Sequence, residues 1–255
     1  MQEWGSGAPV VLVHGSAPPS REEMWSEQRR VLSPRYRLIV PDRRGYGDSP
    51  AGEPDDLDVE VADILALLGD GAHLVGFSYG GLLALLAAAR RPDLIRSLTV
   101  IEPPVFGVAR GHIAVDRIAV ALTALYDAVP RLTPEEFRAG FGRMWGGEVL
   151  ALPKLTPEQR RATTRMMNER NPAQVVVPTA QLAETRLPKF VISGGWAAAF
   201  EVLCDSLALQ IGGERAIVPG AGHGVRHPAI TEHMADFLAR ASWFPEGGTA
   251  LRYPG

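Results

Sequence analysis

Short apolar runs alternate along the chain with longer segments in which apolar residues recur at helical spacing. Uninterrupted apolar runs are typical of buried parallel strands, because helices cover both faces of such a sheet. The runs that predict strands are residues 9–13, 37–40, 72–77, 97–101, 190–193 and 215–218. The segments that predict helices are residues 21–32, 57–68, 79–90, 200–211 and 228–241. This alternation predicts an α/β fold with a mostly parallel sheet flanked by helices.

The segment 104–187 departs from the alternation, because it contains no convincing strand pattern. It predicts helices instead, over residues 112–128, 134–144, 157–168 and 173–185. Two of them begin at Thr133-Pro134 and Thr156-Pro157, where Thr can cap the helix and Pro suits the first helical position. We therefore expect residues 1–103 and 188–255 to form a core domain and residues 104–187 to form an inserted helical cap.

The composition is that of a globular protein, with 46% hydrophobic and 22% charged residues in 255. A formal charge of −3 provides no basic surface for phosphates, which argues against a general nucleic-acid binder. Cys204 is the only cysteine, so no disulfide can form within the chain, in keeping with a reducing cytoplasm. The first residues lack a signal-peptide pattern, and the longest apolar stretch, 82–89, is far shorter than the ~20 residues that span a bilayer. We predict a soluble, cytoplasmic protein.

The stretch Gly76-Phe77-Ser78-Tyr79-Gly80 lies where a predicted strand passes into a predicted helix. A serine on such a sharp turn takes a strained backbone conformation, and side chains two residues away on either side would collide. Gly76 and Gly80 remove that collision, and the N-terminus of the helix favours negative charge nearby. The motif predicts a nucleophile elbow at Ser78, against the alternative of a small-residue turn without chemistry.

Two further segments place a histidine beside glycine directly after a predicted strand. The glycine in His14-Gly15-Ser16 permits a turn that directs a backbone N–H above the sheet, where it would form an oxyanion hole with the N–H of Tyr79. His223 lies in a glycine-rich turn after the last predicted strand, from which its imidazole can exchange a proton with the serine. His227 is the runner-up base, and the remaining histidines are interpreted as structural.

The order of these features resembles the α/β-hydrolase superfamily over roughly residues 9–241. The segment 42–49 strengthens the resemblance, because it is similar to the family's D-x-R-G-x-G-x-S segment, and we favour a structural role for it. The resemblance implies a parallel-sheet core with a helical cap inserted after the sixth family strand. It also implies a nucleophile, a base and two oxyanion-hole N–H donors, which are respectively Ser78, His223, Ser16 and Tyr79.

The chain departs from this family pattern in two places. Only about eight residues precede the first clear strand, so we expect the family's opening hairpin to be short or missing. The loop 194–199, where the usual catalytic acid stands, contains no carboxylate. Glu102 is the best substitute, since some α/β-hydrolases place their acid after the preceding strand, whose end faces the same loops. The alternatives are Glu201 or Asp205, which the following helix would carry away, and a Glu102 that is exposed or paired with an arginine.

Large apolar side chains are concentrated in the predicted cap, where most are expected to pack and a few to line an apolar pocket. They are Phe106, Tyr126, Phe137, Phe141, Met144, Trp145, Met166 and Met167. The histidines lack metal-ligand spacing, and no G-x-G-x-x-G connects a strand to a helix. We therefore predict no metal and no cofactor.

These features together favour a serine esterase with a catalytic triad of Ser78, His223 and Glu102. It would cleave a small or medium, largely apolar ester, lactone or thioester through an acyl-enzyme. The predicted partner is a small-molecule substrate, with no nucleic acid and no membrane, and a homodimer is left open. Alternatively, the same Ser–His pair would serve a C–C bond hydrolase or a non-hydrolytic lyase or cyclase in a biosynthetic pathway. A missing acid would favour a non-catalytic ligand-binding protein on the same scaffold.

Overall fold

One twisted sheet organises the molecule, and its strands are numbered along the chain. They are β1 Gln2–Trp4, β2 Ala8–Val13, β3 Tyr36–Val40, β4 Ala72–Phe77, β5 Ile95–Ile101, β6 Lys189–Ser193 and β7 Glu214–Ile217. Their order in the sheet is β1-β3-β2-β4-β5-β6-β7. β1 pairs antiparallel with β3, and the remaining pairs are parallel. The structure, a computed structural model, describes residues 1–16, 21–51, 56–145 and 151–241.

Helices flank this sheet and connect its strands. Those in the described residues are α1 Arg21–Met24, α2 Ser26–Leu32, α3 Leu57–Leu67, α4 Tyr79–Arg90, α5 Ile113–Asp127, α6 Pro134–Met144, α7 Pro157–Met167, α8 Thr179–Glu184, α9 Ala198–Ile211 and α10 Pro228–Ala241. Together with the sheet they confirm the predicted α/β class and the mostly parallel arrangement of the strands.

The uninterrupted apolar runs are explained by burial on both faces of the sheet. Successive residues of a strand point to opposite faces. Val11 and Val13 of β2 belong to the core cluster that includes α3 and α4, whereas Val10 and Leu12 belong to the cluster that includes α2 and α10. All four valine and leucine side chains are inaccessible to solvent. A strand covered in this way needs apolar residues at every position, which removes the alternation expected of a half-exposed strand.

The short chain start agrees with the sequence expectation, whereas two predicted helices differ from it. The opening hairpin is reduced to the three residues of β1, which is too short to give a pattern of its own. The helix predicted over 21–32 is two helices, because the backbone of the buried Trp25 leaves the helical region between α1 and α2. The helix predicted over 173–185 begins only at Thr179, because Pro178 disfavours helical backbone at the residue before it.

The segment between β5 and β6 contains α5 to α8, and no strand occurs among its described residues. Both predicted Thr-Pro helix starts are present as complete capping boxes. Thr133 caps α6 together with Glu136, and Thr156 caps α7 together with Gln159. Such boxes satisfy backbone N–H groups that a helix start would otherwise leave unpaired. The division into a core and a separable cap over 104–187 stays a prediction, which limited proteolysis under native conditions can check.

His73 on β4 is buried, as expected for a structural histidine, and its Nδ1 lies 2.7 Å from Ser97 Oγ. Burial, assisted by the charge of Arg96, lowers the pKa of His73 to about 4. The unfolded chain takes up this proton near pH 6.5, whereas the folded chain resists it until about pH 4. Stability is therefore lost as the pH falls through this window.

We expect His73 to lower the free energy of unfolding by about 2 kcal/mol between pH 7 and pH 5. Urea unfolding at both pH values, on the wild type and on His73→Gln, measures this contribution. The variant should lose less stability over the same range, because glutamine does not titrate. An equal loss in both proteins would contradict the assignment.

Within the described residues, no helix is both long and apolar enough to cross a membrane.

Candidate active site

The turn from β4 into α4 places Ser78 in a strained backbone conformation, with φ 51° and ψ −124°. The glycines on either side explain how the turn closes. A side chain at Gly76 would collide with the backbone of Gly80, and one at Gly80 would collide with the backbone of His14. The Ser78 N–H still donates to the carbonyl of Ile101 on β5, at 2.8 Å, so the serine is held at the C-terminal end of the parallel strands.

Glu102 occupies the equivalent place one strand further along. Its φ is 47°, and its N–H donates to the carbonyl of Ile192 on β6 at 2.9 Å. Ser78 and Glu102 are the non-glycine residues with positive φ among the described residues. Such conformations cost about 1–3 kcal/mol each and concentrate at functional sites. The backbone strain thus marks the two residues whose side chains approach one histidine.

A continuous chain of hydrogen bonds joins Ser78, His223 and Glu102. His223 Nε2 lies 3.1 Å from Ser78 Oγ, and His223 Nδ1 lies 2.5 Å from Glu102 Oε2. A carboxylate can only accept, so Nδ1 carries the proton and Nε2 is left free to accept the serine proton. This is the arrangement that activates a serine hydroxyl in nucleophilic catalysis.

The loop after β6 binds the Glu102 carboxylate instead of supplying a carboxylate of its own. Glu102 Oε1 accepts from the Gly194 N–H at 2.8 Å and from the indole Nε1–H of Trp196 at 2.9 Å. The Glu102 side chain is completely buried. Trp196 was missed in the sequence, although the absence of acids in its loop pointed to this place.

Gly194 also explains how the His223 turn comes close to this loop. A side chain at Gly194 would collide with the backbone of Gly222. Phe200 stacks on the imidazole of His223 with ring centroids 5.0 Å apart, and Phe77 lies 4.8 Å from it. Aromatic contacts from two elements therefore hold the ring between the serine and the carboxylate.

The alternative residues considered in the sequence lie apart from this chain. His227 Nδ1 accepts the N–H of Ala229 at the start of α10. Glu201 and Asp205 both pair with Arg215, and Glu201 additionally accepts from Ser193. The structure brings Glu102, and neither of these two acids, to His223.

The turn His14-Gly15-Ser16 faces the elbow. A side chain at Gly15 would lie 2.8 Å from Ser78 Cβ, so glycine is required for the close approach. The ring of His14 faces away from the serine, because its Nε2 accepts the N–H of Arg43 at 2.8 Å. Ser16 and Tyr79 both line the cavity above Ser78, and Tyr79 begins α4, whose first N–H groups lack partners within the helix. Their N–H groups stay the predicted oxyanion-hole donors.

A cavity of about 260 Å³ opens on Ser78 and His223. Its walls are largely aromatic and apolar, as expected. Many of the lining residues belong to the segment between β5 and β6. The lining side chains from that segment are Phe106, Leu122, Tyr126, Phe141, Trp145 and Met166, together with Arg138. Phe137 is instead fully buried away from this lining. The volume is slightly below the ~300–1,000 Å³ typical of small-molecule sites, which indicates a compact ligand.

A model of the alpha/beta hydrolase family matches residues 10–241. The chain belongs to this family. In line with that, a solved alpha/beta hydrolase from Sphaerobacter thermophilus superposes with a TM-score of 0.71, at 27% identity, over 93% of this chain and 95% of that one.

This alpha/beta hydrolase is similar to Lipase LipV of Mycobacterium tuberculosis, with 33% identity over 147 residues. These residues are 54% of the chain and 52% of that lipase. It is also similar to the pimeloyl-[acyl-carrier protein] methyl ester esterase of Aeromonas hydrophila, with 32% identity over 151 residues. That match covers 58% of the chain and 52% of the esterase, so the matched part spans about half of each relative. The family and these names support the predicted hydrolase class.

A buried ionic network lies behind the turn His14-Gly15-Ser16 of this alpha/beta hydrolase. Arg43 Nη2 lies 2.6 Å from Glu60 Oε2 and 2.7 Å from Glu169 Oε1. Arg165 Nη2 lies 2.6 Å from Glu60 Oε1, and the Tyr46 hydroxyl donates to Glu169. Burial opposes the charge on Arg43, but Glu169 and Glu60 outweigh this effect and raise its pKa. Burial also raises the pKa of Glu169, which Arg43 offsets only in part.

Glu169 connects this network to the site, because its Oε2 accepts from Ser16 Oγ at 2.5 Å. Arg43 contacts the other end of the same turn, because its backbone N–H donates to His14 Nε2. The turn His14-Gly15-Ser16 is thus held at one end by the Glu169 carboxylate and at the other by the backbone N–H of Arg43. Nothing in the sequence near Glu169 indicated this contact, since Ser16 lies 153 residues earlier.

Glu169→Gln is expected to lower the free energy of unfolding by about 3 kcal/mol, because Arg43 loses one of its two carboxylates in a buried site. Urea unfolding measures the change. Glu214→Gln is the matched control, since it removes an exposed ion pair with Arg240, which should contribute less than about 1 kcal/mol. Equal effects of the two substitutions would contradict a stabilising role for the network.

Proposed function

We propose that this chain is a serine hydrolase that cleaves a small, largely apolar ester through an acyl-enzyme. One observation carries the proposal, namely the hydrogen-bond chain Ser78–His223–Glu102 at the base of an apolar cavity. The lipase and methyl ester esterase among its relatives support an ester as the substrate class. A lactone or thioester would be cleaved by the same steps.

In the first half-reaction, Ser78 Oγ forms a bond to the ester carbonyl carbon while His223 Nε2 takes its proton. The carbonyl oxygen becomes an oxyanion, to which the N–H groups of Tyr79 and Ser16 donate. Glu102 accepts the Nδ1–H of His223 and balances the positive charge of the imidazolium. The bond to the alcohol oxygen then breaks, that oxygen takes the proton from His223, and the acyl group stays on the serine.

In the second half-reaction, water attacks the acyl carbon and gives a proton to His223 Nε2. A second oxyanion forms at the same donors and collapses. The bond to Ser78 Oγ breaks, the serine oxygen recovers the proton from His223, and the carboxylic acid leaves. Each step needs the imidazole to hold and return one proton, which the bonds on its two nitrogens permit.

A fluorophosphonate probe with intact-mass detection tests the nucleophile directly. We expect one adduct per chain on the wild type, at Ser78, and none on Ser78→Ala. A panel of p-nitrophenyl esters with acyl chains of increasing length then tests ester hydrolysis, and the cavity size predicts a preference for short chains.

Failure of the probe to label Ser78 would contradict a serine hydrolase and favour a ligand-binding protein on this scaffold. Labelling without turnover of any ester would contradict ester hydrolysis alone. In that case the C–C bond hydrolase, lyase or cyclase interpretation would take its place, because it uses the same Ser–His pair.

A further inference from the structure

Arg138 on α6 is the one permanently charged side chain among the described residues that line the cavity. It is half-buried, and its Nη1 donates to Thr163 Oγ1 at 3.4 Å. That distance is beyond the usual 2.7–3.2 Å for such a bond, so Thr163 satisfies the guanidinium poorly. Several of its N–H donors are left for another acceptor.

The lack of a carboxylate partner distinguishes Arg138 from comparable arginines. Every other buried or half-buried arginine in the described part of the chain lies within 4.0 Å of an Asp or Glu oxygen. These are Arg37, Arg43, Arg44, Arg165 and Arg215. Arg138 has no such partner among the described residues, and it faces the space in which a substrate would lie.

The permanent charge on the described lining of the cavity is consequently positive only. No Asp or Glu lines it among the described residues, since Glu102 lies behind His223. A guanidinium partly withdrawn from water is stabilised by a negative partner. Its planar fork of N–H groups matches the two oxygens of a carboxylate.

We propose that Arg138 binds a carboxylate group of the substrate, at the end remote from the bond that Ser78 attacks. The substrate class is then a short ester that carries one free carboxylate, separated from the ester by an apolar chain. One guanidinium in a largely apolar wall balances one negative charge, which fits a carboxylate better than a phosphate dianion. The proposal rests on the proposed ester hydrolysis and refines the predicted largely apolar substrate.

Two pairs of esters test the proposal and locate the carboxylate. Monomethyl adipate against methyl hexanoate places the charge on the acyl side. The butyrate ester of 4-hydroxybutyrate against pentyl butyrate places it on the leaving side. We expect kcat/KM of the wild type to favour the charged member of at least one pair by ~10–100-fold, as one charge-assisted contact would give. The preference should appear mainly in KM and should shrink in 0.5 M salt.

In Arg138→Gln, the ratio between the charged and the neutral ester should fall to near one, and Arg138→Lys should retain part of it. Arg143→Gln is the matched control, because Arg143 lies on the same helix but is exposed and outside the cavity lining. It removes the same charge and should keep both the basal activity and the preference.

Hydrolysis of neutral esters by the wild type without preference for a charged one in either pair would overturn this proposal and leave the serine hydrolase standing. That measurement needs no variant, so it decides even if Arg138→Gln fails to fold. An equal loss of preference in Arg143→Gln would also overturn it, because a general surface charge would then be responsible. Absence of both probe labelling and ester turnover would instead overturn the proposed function.

Discussion

Ser78→Ala is expected to reduce turnover of a cleavable ester by ~10⁴–10⁶-fold, with little change in the fold. The substitution removes one oxygen atom, which lies 3.1 Å from His223 Nε2, and it leaves the strained turn between β4 and α4 in place. Without that oxygen no acyl-enzyme can form, and only binding and the oxyanion-hole donors can still act on the substrate.

The measurement is kcat on the best ester of the panel, together with the thermal unfolding midpoint. Ser26→Ala serves as control, because Ser26 is an exposed serine at the start of α2 whose hydroxyl contacts only the local backbone. Its activity should equal that of the wild type. More than a tenth of the activity in purified Ser78→Ala would contradict the assignment of the nucleophile.

Glu102→Gln is expected to lower kcat by ~10²–10⁴-fold. The surroundings of this carboxylate determine how the amide would sit. The Gly194 N–H points at Oε1, and the indole N–H of Trp196 lies 2.9 Å from Oε1 and 3.1 Å from Oε2. The amide oxygen would therefore take the place of Oε1, and the NH₂ would face His223. Nδ1 must then accept a hydrogen bond from the NH₂ of the glutamine, which moves the imidazole proton to Nε2. A protonated Nε2 can no longer accept the proton of the Ser78 hydroxyl.

Glutamine is also neutral and does not balance the imidazolium that forms when Ser78 attacks. Asp205→Asn is the matched control, since Asp205 is an acid on the following helix that pairs with Arg215 and not with His223. We expect kcat of the control to stay close to that of the wild type. Full activity of Glu102→Gln, or equal losses in the two variants, would show that Glu102 does not orient the histidine.

Much of the architecture was accessible from the sequence because it leaves a pattern within short stretches of the chain. Burial on both faces makes the strands apolar throughout, and the elbow at Ser78 needs glycine at fixed distances along the chain. The Thr-Pro helix starts form their capping boxes from residues three positions apart.

The role of Glu102 could be inferred only indirectly, from its position at the end of one strand and from the lack of a carboxylate in the loop after the next strand. Its positive φ and its bond to Trp196 follow from the way β5 and β6 end side by side, which no sequence window contains. The contact of Glu169 with Ser16 joins residues 153 positions apart, and the three-residue β1 depends on its pairing with β3. In each case the contact is determined by the tertiary arrangement and not by the local sequence pattern.

The ionic network also bears on how a substrate could enter. Arg165 lies in the last turn of α7 and Glu169 just after it, and both bury their charges against the core. A hinge that lifted this end of α7 would break the Arg43–Glu169 and Arg165–Glu60 contacts and leave only the Arg43–Glu60 pair, which is unfavourable in a buried site. We expect α7 to remain seated, and α6 with it, because Arg160 of α7 pairs with Glu135 of α6 and Arg138 of α6 donates to Thr163 of α7.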